Sequence, residues 1–369
     1  MTKKVKVGVI GCGTISGIYL KNMNQIFQNL DVIACADLIL DKAKDRSKEF
    51  NIPKVYTVDE LLNDPDIQIV VNLTIPKVHA EVSLDALKAG KNVYSEKPLA
   101  INIEDGQRIL KLALDKQLLV GAAPDTFLGG GIQTCRKLID DGWIGEPVGA
   151  TAFMLNHGHE SWHPDPEFYY KIGGGPMFDM GPYYLTTLVN LLGPVKRVTG
   201  STKISFPKRI ITSQPKFGVK IKVDVPTYVA GIMEFENGSI GMILTSFDVW
   251  NTKLPYIEIY GSEGTLLVPD PNTFGGPVYL RRMNSSEWSE IPLTHNYTEN
   301  SRGIGISDMA YALISGRLHR ANGELAYHVL EIMSGFHISA QTGKHYKIKS
   351  TCKRPAPLPV GLMKGMLDE

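Results

Sequence analysis

The run Val5-Lys-Val-Gly-Val-Ile10 is β-branched and is followed at once by Gly11-Cys-Gly13-Thr14-Ile15-Ser16, after which residues 15–27 carry apolar side chains at helical spacing. A strand that passes through a glycine turn into a helix leaves few architectures open. Such a unit buries both faces of its strand in a parallel sheet and aims the first N–H groups of the helix at an anion. Gly11 permits the tight turn, Gly13 lets the backbone approach a pyrophosphate, and Thr14 and Ile15 begin the helix; Ser16 is small enough to replace a third glycine. The pattern predicts dinucleotide binding. A second strand, 31–36, ends at Asp37, whose carboxylate is placed to accept hydrogen bonds from the adenosine ribose and would repel a 2′-phosphate. NAD is therefore expected over NADP, although Lys42 and Lys44 lie nearby and capping of the helix 41–50 is a competing role for Asp37.

The alternation continues with a helix at 58–63, a strand at 67–71, a helix at 76–89 opened by Pro76, a strand at 92–94, a helix at 103–116 and a strand at 118–121. Residues 1–125 thus read as an α/β doubly wound parallel sheet, a Rossmann domain. Thr74, Pro76 and His79 then lie over the nicotinamide half of the cofactor, with a plain helix-surface histidine an equal alternative for His79. Tyr94-Ser95-Glu96-Lys97-Pro98 emerges where open α/β sheets bind ligands, beyond the carboxyl ends of their strands. Glu96 and Lys97 are candidate cofactor contacts and Lys97 the candidate centre of the chemistry; a surface lysine before a turn proline is the plain alternative.

From residue 126 the texture changes. A helix at 131–140 is followed by period-two segments at 147–155, 195–206, 225–236, 238–247, 255–260 and 264–268, with tight turns such as Glu236-Asn-Gly238. At 369 residues the chain is too long for one ordinary core, so 126–369 is expected to form a second, α+β domain on a large, mostly antiparallel sheet. Helices at 301–317 and 322–341 and a proline-rich tail that packs back on the body close it. Gly173-Gly-Gly-Pro-Met-Phe-Asp179-Met-Gly-Pro-Tyr183 leads into a helix stopped by Gly193-Pro194. If both are helical, Asp179 and Tyr183 share a face and offer a polar pair to a sugar hydroxyl, against the plainer roles of cap and core residue. Upstream, a loop dense in His, Trp and Tyr supplies His159, Trp162 and His163 as sugar contacts. His157, Glu160 and His163 are weighed as metal ligands, but paired ligand spacings and cysteines are absent and no metal is expected. Arg302, Asp308 and His319 are polar residues around amphipathic helices; solvated helix faces are the expected reading for any one of them, with reach into the cleft the alternative.

Charged residues make up 21% with a formal balance of +1, and no basic run is interleaved with aromatics, which argues against nucleic acid as a partner. The four cysteines are scattered without a CxxC pair, as expected for reduced thiols in the cytoplasm. Met1-Thr-Lys-Lys leads straight into the first strand, and no apolar run reaches membrane-spanning length, so no membrane association is expected. An exposed antiparallel face commonly seeks cover, which predicts a homo-oligomer, a dimer or tetramer.

In this order and at these intervals, the glycine turn, Glu96-Lys97-Pro98 and Gly173-Gly-Gly-x-x-x-Asp179-x-Gly-x-Tyr183 resemble the Gfo/Idh/MocA family of glucose–fructose oxidoreductase, inositol dehydrogenase and related sugar dehydrogenases, over nearly the whole chain. The resemblance implies that Lys97 is the catalytic lysine, Asp179 the substrate-orienting aspartate, and Pro98 a cis-proline. Tyr183 falls where inositol dehydrogenases have histidine and the glucose–fructose branch has tyrosine, which leaves the general base open between Lys97 and Tyr183. The implied reaction is hydride exchange between NAD and a secondary ring hydroxyl of a sugar, cyclitol or glycoside, including C3 of a glycoside, with a small carbohydrate as partner. Lys97 beside a cationic nicotinamide is expected to have a lowered pKa and to work as a pair with Tyr183. An NAD-dependent glycosidase acting by transient oxidation and elimination, and a nucleotide-binding sensor, are the alternatives.

Overall fold

The computed structural model describes residues 4–368, so the reading of the opening Met1-Thr-Lys lies outside the described residues. Six strands form the first sheet: β1 (Val5–Ile10), β2 (Leu30–Ala36), β3 (Lys54–Tyr56), β4 (Ile69–Asn72), β5 (Asn92–Ser95) and β6 (Val120–Ala122). Their order, β3-β2-β1-β4-β5-β6, is all parallel and reverses direction of winding between β1 and β4. Val7, Val9, Ile69, Val70, Val71 and Val93 are completely buried, as strands covered on both faces require. The intervening helices are α1 (Ser16–Gln25), α2 (Leu40–Phe50), α3 (Val58–Asn63), α4 (His79–Lys88) and α5 (Ile103–Lys116). Thr57 and Glu60 close a capping box at the start of α3, and the Asn102 side chain caps α5. The expected helix at 76–89 is a 3-10 turn, Pro76–Val78, that runs into α4.

The second sheet has nine strands: β7 (Pro147–Leu155), β8 (Val195–Lys203), β11 (Tyr228–Phe235), β12 (Ile240–Ser246), β13 (Ile257–Gly261), β14 (Gly264–Val268), β15 (Val278–Arg282), β16 (Ser289–Ile291) and β17 (Tyr346–Lys347), while β9 (Lys208–Ile210) and β10 (Lys220–Lys222) pair apart from it. It is mixed rather than purely antiparallel, because β12 lies parallel to β7 at its centre. Two strands begin later than their alternation predicts, β11 at Tyr228 and β13 at Ile257, since Pro226 and Pro255 have no N–H for a ladder. The short strands β3, β9, β10 and β15–β17 carry too little periodicity to be read from sequence. One face of the sheet is covered by α6 (Gly130–Asp140), α8 (Gly181–Leu192) and α10 (Gly323–Thr342), and Ile232, Ile240 and Met242 lie exposed on strands β11 and β12.

The helix expected over 301–317 is α9 (Ile304–Ser315), bounded by Gly303 at φ +103° and Gly316 at φ +79°. The tail packs back as expected: Arg136 donates to the Pro355 carbonyl at 2.9 Å and Leu358 N–H to the Gln133 side chain at 2.8 Å. Among the described residues, no helix is long and apolar enough to cross a membrane, and all four cysteines are free and buried.

Candidate active site

The turn after β1 is built from backbone. Gly11 sits at φ +101°, and a Cβ there would fall 2.6 Å from the Leu73 carbonyl carbon, so the loops that follow β1 and β4 touch at the point where the strand order reverses. Gly13 is the opposite case: a Cβ there would meet nothing within 4 Å, which leaves the outer side of the turn open to a ligand. The buried Ser16 hydroxyl donates to the Gly13 carbonyl at 2.6 Å and fixes the entry to α1. Asp37 does not cap α2, whose N-cap is Ile39 without a side-chain bond. Its carboxylate accepts from Cys12 N–H at 2.7 Å and from Ile39 N–H at 2.8 Å, which ties it to the glycine turn. Two further side chains border the turn and the Asp37 loop, neither with a signal in its own segment. Arg46 donates to the Gly13 carbonyl at 3.2 Å, and Leu38, beside Asp37, is 98% exposed. An open glycine cradle, a helix N-terminus without a side-chain cap and an acidic side chain at the next strand end together suit a dinucleotide.

Lys97 leaves the carboxyl end of β5 and is held from behind. Tyr19 donates to one oxygen of the buried Glu96 carboxylate at 2.7 Å, and the Lys97 N–H donates to the other at 2.9 Å. The Lys97–Pro98 bond is cis, as the resemblance implied. His79 is not the helix-surface histidine of the plainer reading. It is 1% exposed, with Nδ1 2.8 Å from the Pro98 carbonyl and Nε2 2.9 Å from the Thr74 carbonyl, so it braces the loops after β4 and β5 against each other. Burial lowers its pKa and both bonds oppose that.

Across the cleft, the expected single helix carrying Asp179 and Tyr183 is two. The short α7 (Gly175–Asp179) ends at Asp179, and α8 starts afresh at Gly181, because Pro182 is accommodated only in a first turn. The break does not separate their side chains. Lys97 Nζ donates to Asp179 Oδ1 at 2.8 Å and to its carbonyl at 2.6 Å, and lies 5.4 Å from the centre of the Tyr183 ring. On the other side, His159 Nε2 is 3.4 Å from Asp179 Oδ2, and the His159 ring stacks on Tyr169 with centroids 3.6 Å apart.

Burial alone would depress the Lys97 ammonium, but Asp179, followed by Tyr183 and Glu96, holds it above its ordinary value. The lowering expected of Lys97 is thus reversed in the protein by itself, since its nearest charges are negative. Burial likewise opposes the Asp179 anion, yet Lys97 and His159 bring its pKa down to about 2. Burial raises the Tyr183 phenol more than Lys97 and Arg302 lower it, so it stays a neutral phenol.

Of the remaining sugar-contact candidates, His159 is buried against Asp179, His163 packs edge-on to Trp162, Phe168 and Tyr169, and Trp162 is 62% exposed at the rim. His157 stacks on Trp250 and Glu160 pairs with Arg209 at 3.1 Å; among the described residues no three His, Cys, Asp or Glu side chains converge on a metal position. Asp308 and His319 are buried rather than solvated, and Arg302 is half-buried. Arg302 donates to the Asn272 side chain at 2.7 Å and faces the Tyr183 phenol. Asp308 is fully buried with Arg317 and Arg320 at 2.8 and 2.6 Å, and His319 bonds to the Val120 carbonyl at 2.9 Å. Helical periodicity in α9 is nearly all apolar, which gave no sign that one polar residue turns inward to meet charges from a later loop.

Residues 5–123 match the family model described as the oxidoreductase family, NAD-binding Rossmann fold, and residues 132–267 match the GFO/IDH/MocA C-terminal domain. An uncharacterized oxidoreductase of Schizosaccharomyces pombe is 27% identical over 60% of this chain, an alignment that spans 63% of that protein. A myo-inositol 2-dehydrogenase of Thermotoga maritima is 24% identical over 71% of this chain and 74% of its own length. Among solved structures, a levoglucosan dehydrogenase in complex with NADH and L-sorbose superposes with a TM-score of 0.81 at 20% identity, covering 94% of this chain and 100% of that one. Both halves match in chain order, and the chain belongs to the GFO/IDH/MocA family of NAD-binding oxidoreductases.

Proposed function

We propose that this oxidoreductase exchanges a hydride between NAD and a secondary ring hydroxyl of a sugar, cyclitol or glycoside. The observation that carries the reading is the Lys97–Asp179 contact at 2.8 Å, made across the cleft between the two sheets with Tyr183 beside it. Residues 1–125 hold the nucleotide and 126–369 the substrate. Gly11, Gly13, Thr14 and Ile15 receive the pyrophosphate, Asp37 the adenosine ribose with Leu38 against the base, and Thr74, Pro76 and Glu96 line the path toward Lys97. A nicotinamide dinucleotide supplies the two-electron step. The chain supplies proton control. Lys97 and Tyr183 grip the reacting oxygen, while Asp179, steadied by His159, accepts a hydrogen bond from a neighbouring hydroxyl.

Lys97 is an ammonium in the protein alone, so it is poised to donate a proton to a carbonyl oxygen; in the oxidative direction it takes up the proton once neutral. Tyr183, kept neutral, orients that oxygen rather than removing its proton. Asp37 favours NAD over NADP by repelling a 2′-phosphate. Ile232, Ile240 and Met242 on the exposed sheet strands are the surface a second copy would cover, and sedimentation returning only a monomer removes that part of the proposal.

The test is nicotinamide reduction with a panel of pyranoses, cyclitols and glycosides, run in both directions. Net reduction with at least one class is expected; aglycone release without net reduction, or bound nucleotide with no turnover on any of them, overturns the reading.

A further inference from the structure

The loop that carries His159 also builds a second chamber. His157, Glu160 and Ser161 line a cavity of about 520 Å³ together with Phe206, Arg209 and Trp250, and none of Lys97, Asp179 or Tyr183 borders it. Its size is that of a small-molecule site. Arg209 is its charged element, 6% exposed, clasped by Glu160 at 3.1 Å and by Asp248 and flanked by the Phe206 and Tyr170 rings at 5.0 and 5.5 Å. With two carboxylates against one guanidinium, and Lys208 at the rim, the chamber has no surplus charge to draw a phosphate or carboxylate. Behind its wall, Arg209 Nε and His157 Nδ1 are buried and have no partner among the described residues. Groups so placed ordinarily have one.

The chamber's other property is an aromatic platform. Trp250 is 82% exposed, yet it lies flat on His157, centroids 3.5 Å apart and planes 12° from parallel, so its outer face is held open in a fixed orientation. A flat apolar face beside the exposed Ser161 and the Lys208 side chain, with balanced charge, describes a site for a neutral ring that is apolar on its faces and polar at its edges.

We propose that this chamber binds a neutral pyranose ring distinct from the one handled at Lys97 and Asp179. The ring belongs either to the same glycoside, its other end lying in the cleft, or to a separate saccharide. Because His159 faces Asp179 and the adjoining Glu160 faces Arg209, one stretch of backbone serves both sites. The catalytic arm of the test rests on the sugar-oxidation reading; the binding arm does not.

The full chain is titrated by calorimetry with a disaccharide and with a methyl glycoside. Trp250→Ala is expected to weaken disaccharide binding about tenfold, the value of one aromatic stacking contact, and Trp250→Phe to restore most of it. The melting temperature is expected to stay put, since the side chain is exposed. A rise in the disaccharide's KM that exceeds the methyl glycoside's assigns the ring to the substrate; weakened binding without that rise assigns it to a separate saccharide. Saccharide binding that is absent, or unmoved by Trp250→Ala, overturns the chamber. If no sugar reduces nicotinamide while Trp250-dependent binding persists, the proposed oxidation fails and the chamber stands.

Discussion

The two sides of the cleft are made by different means. On the parallel-sheet side the binding surface is main chain: Gly11 touches Leu73, Gly13 faces open space, and the chemistry of the cradle comes from N–H groups that every residue has. On the mixed-sheet side it is side chains: Asp179, Tyr183 and His159 come from a short helix, the next helix and a loop, and meet only because those elements converge on Lys97. A backbone surface is sensitive to an added Cβ and indifferent to most side-chain chemistry. A side-chain surface behaves the other way round.

The largest effect that separates them is at Lys97. Lys97→Met is expected to lower turnover by about 10³-fold, within the range of lost acid–base catalysis, while nucleotide affinity measured by calorimetry stays nearly intact. A comparable loss of nucleotide binding would show that the two sides do not divide as described. Asp179→Asn comes next, with a fall in kcat/KM of about 10²-fold for a lost charged hydrogen bond. Its sign in pH is fixed. Removing the anion lets the Lys97 pKa fall, so the oxidative pH profile moves to lower pH. The Asp179 pKa drops from 3.8 to about 2 on folding, so its contribution to stability is present above pH 3.8 and lost as pH falls toward 2; acid unfolding monitored by circular dichroism should lose that slope in Asp179→Asn.

On the backbone side, Gly11→Ala and Gly13→Ala sharpen the contrast. Gly11→Ala meets the Leu73 carbonyl at positive φ and should destabilise the fold by about 1–3 kcal/mol, read as a lower denaturant midpoint. Gly13→Ala should leave that midpoint alone and weaken nucleotide binding about tenfold. The smallest difference is within the aromatic loop. His159→Ala, which removes the support behind Asp179, should lower kcat/KM about tenfold, whereas Trp162→Ala at the exposed rim should change it less than about twofold.

Legibility in the sequence followed the same division. The strand–turn–helix at residues 5–27 and the alternation through residue 121 are local patterns, and the parallel sheet follows from them. Lys97 and Asp179 were legible through motif spacing, but the helix break between Asp179 and Tyr183 turned on Pro182, which the i, i+4 argument ignored. His79 shows the limit most plainly, since nothing in its own segment says that both ring nitrogens are spent on Pro98 and Thr74. Arg302 and Asp308 show the same limit: Asn272, which meets Arg302, lies far along the chain, and the arginines that meet Asp308 come from the loop after α9, which has no periodicity.

By itself the sequence determined what short-range sterics and periodicity can encode: a glycine turn between a strand and a helix, buried strands, and an acidic residue at the second strand's end. Only the tertiary structure decided the electrical state of the cleft. Whether Lys97 is pushed down or held up depends on which charges surround it, and the nearest is the Asp179 carboxylate, brought to it from the second domain, with Glu96 behind.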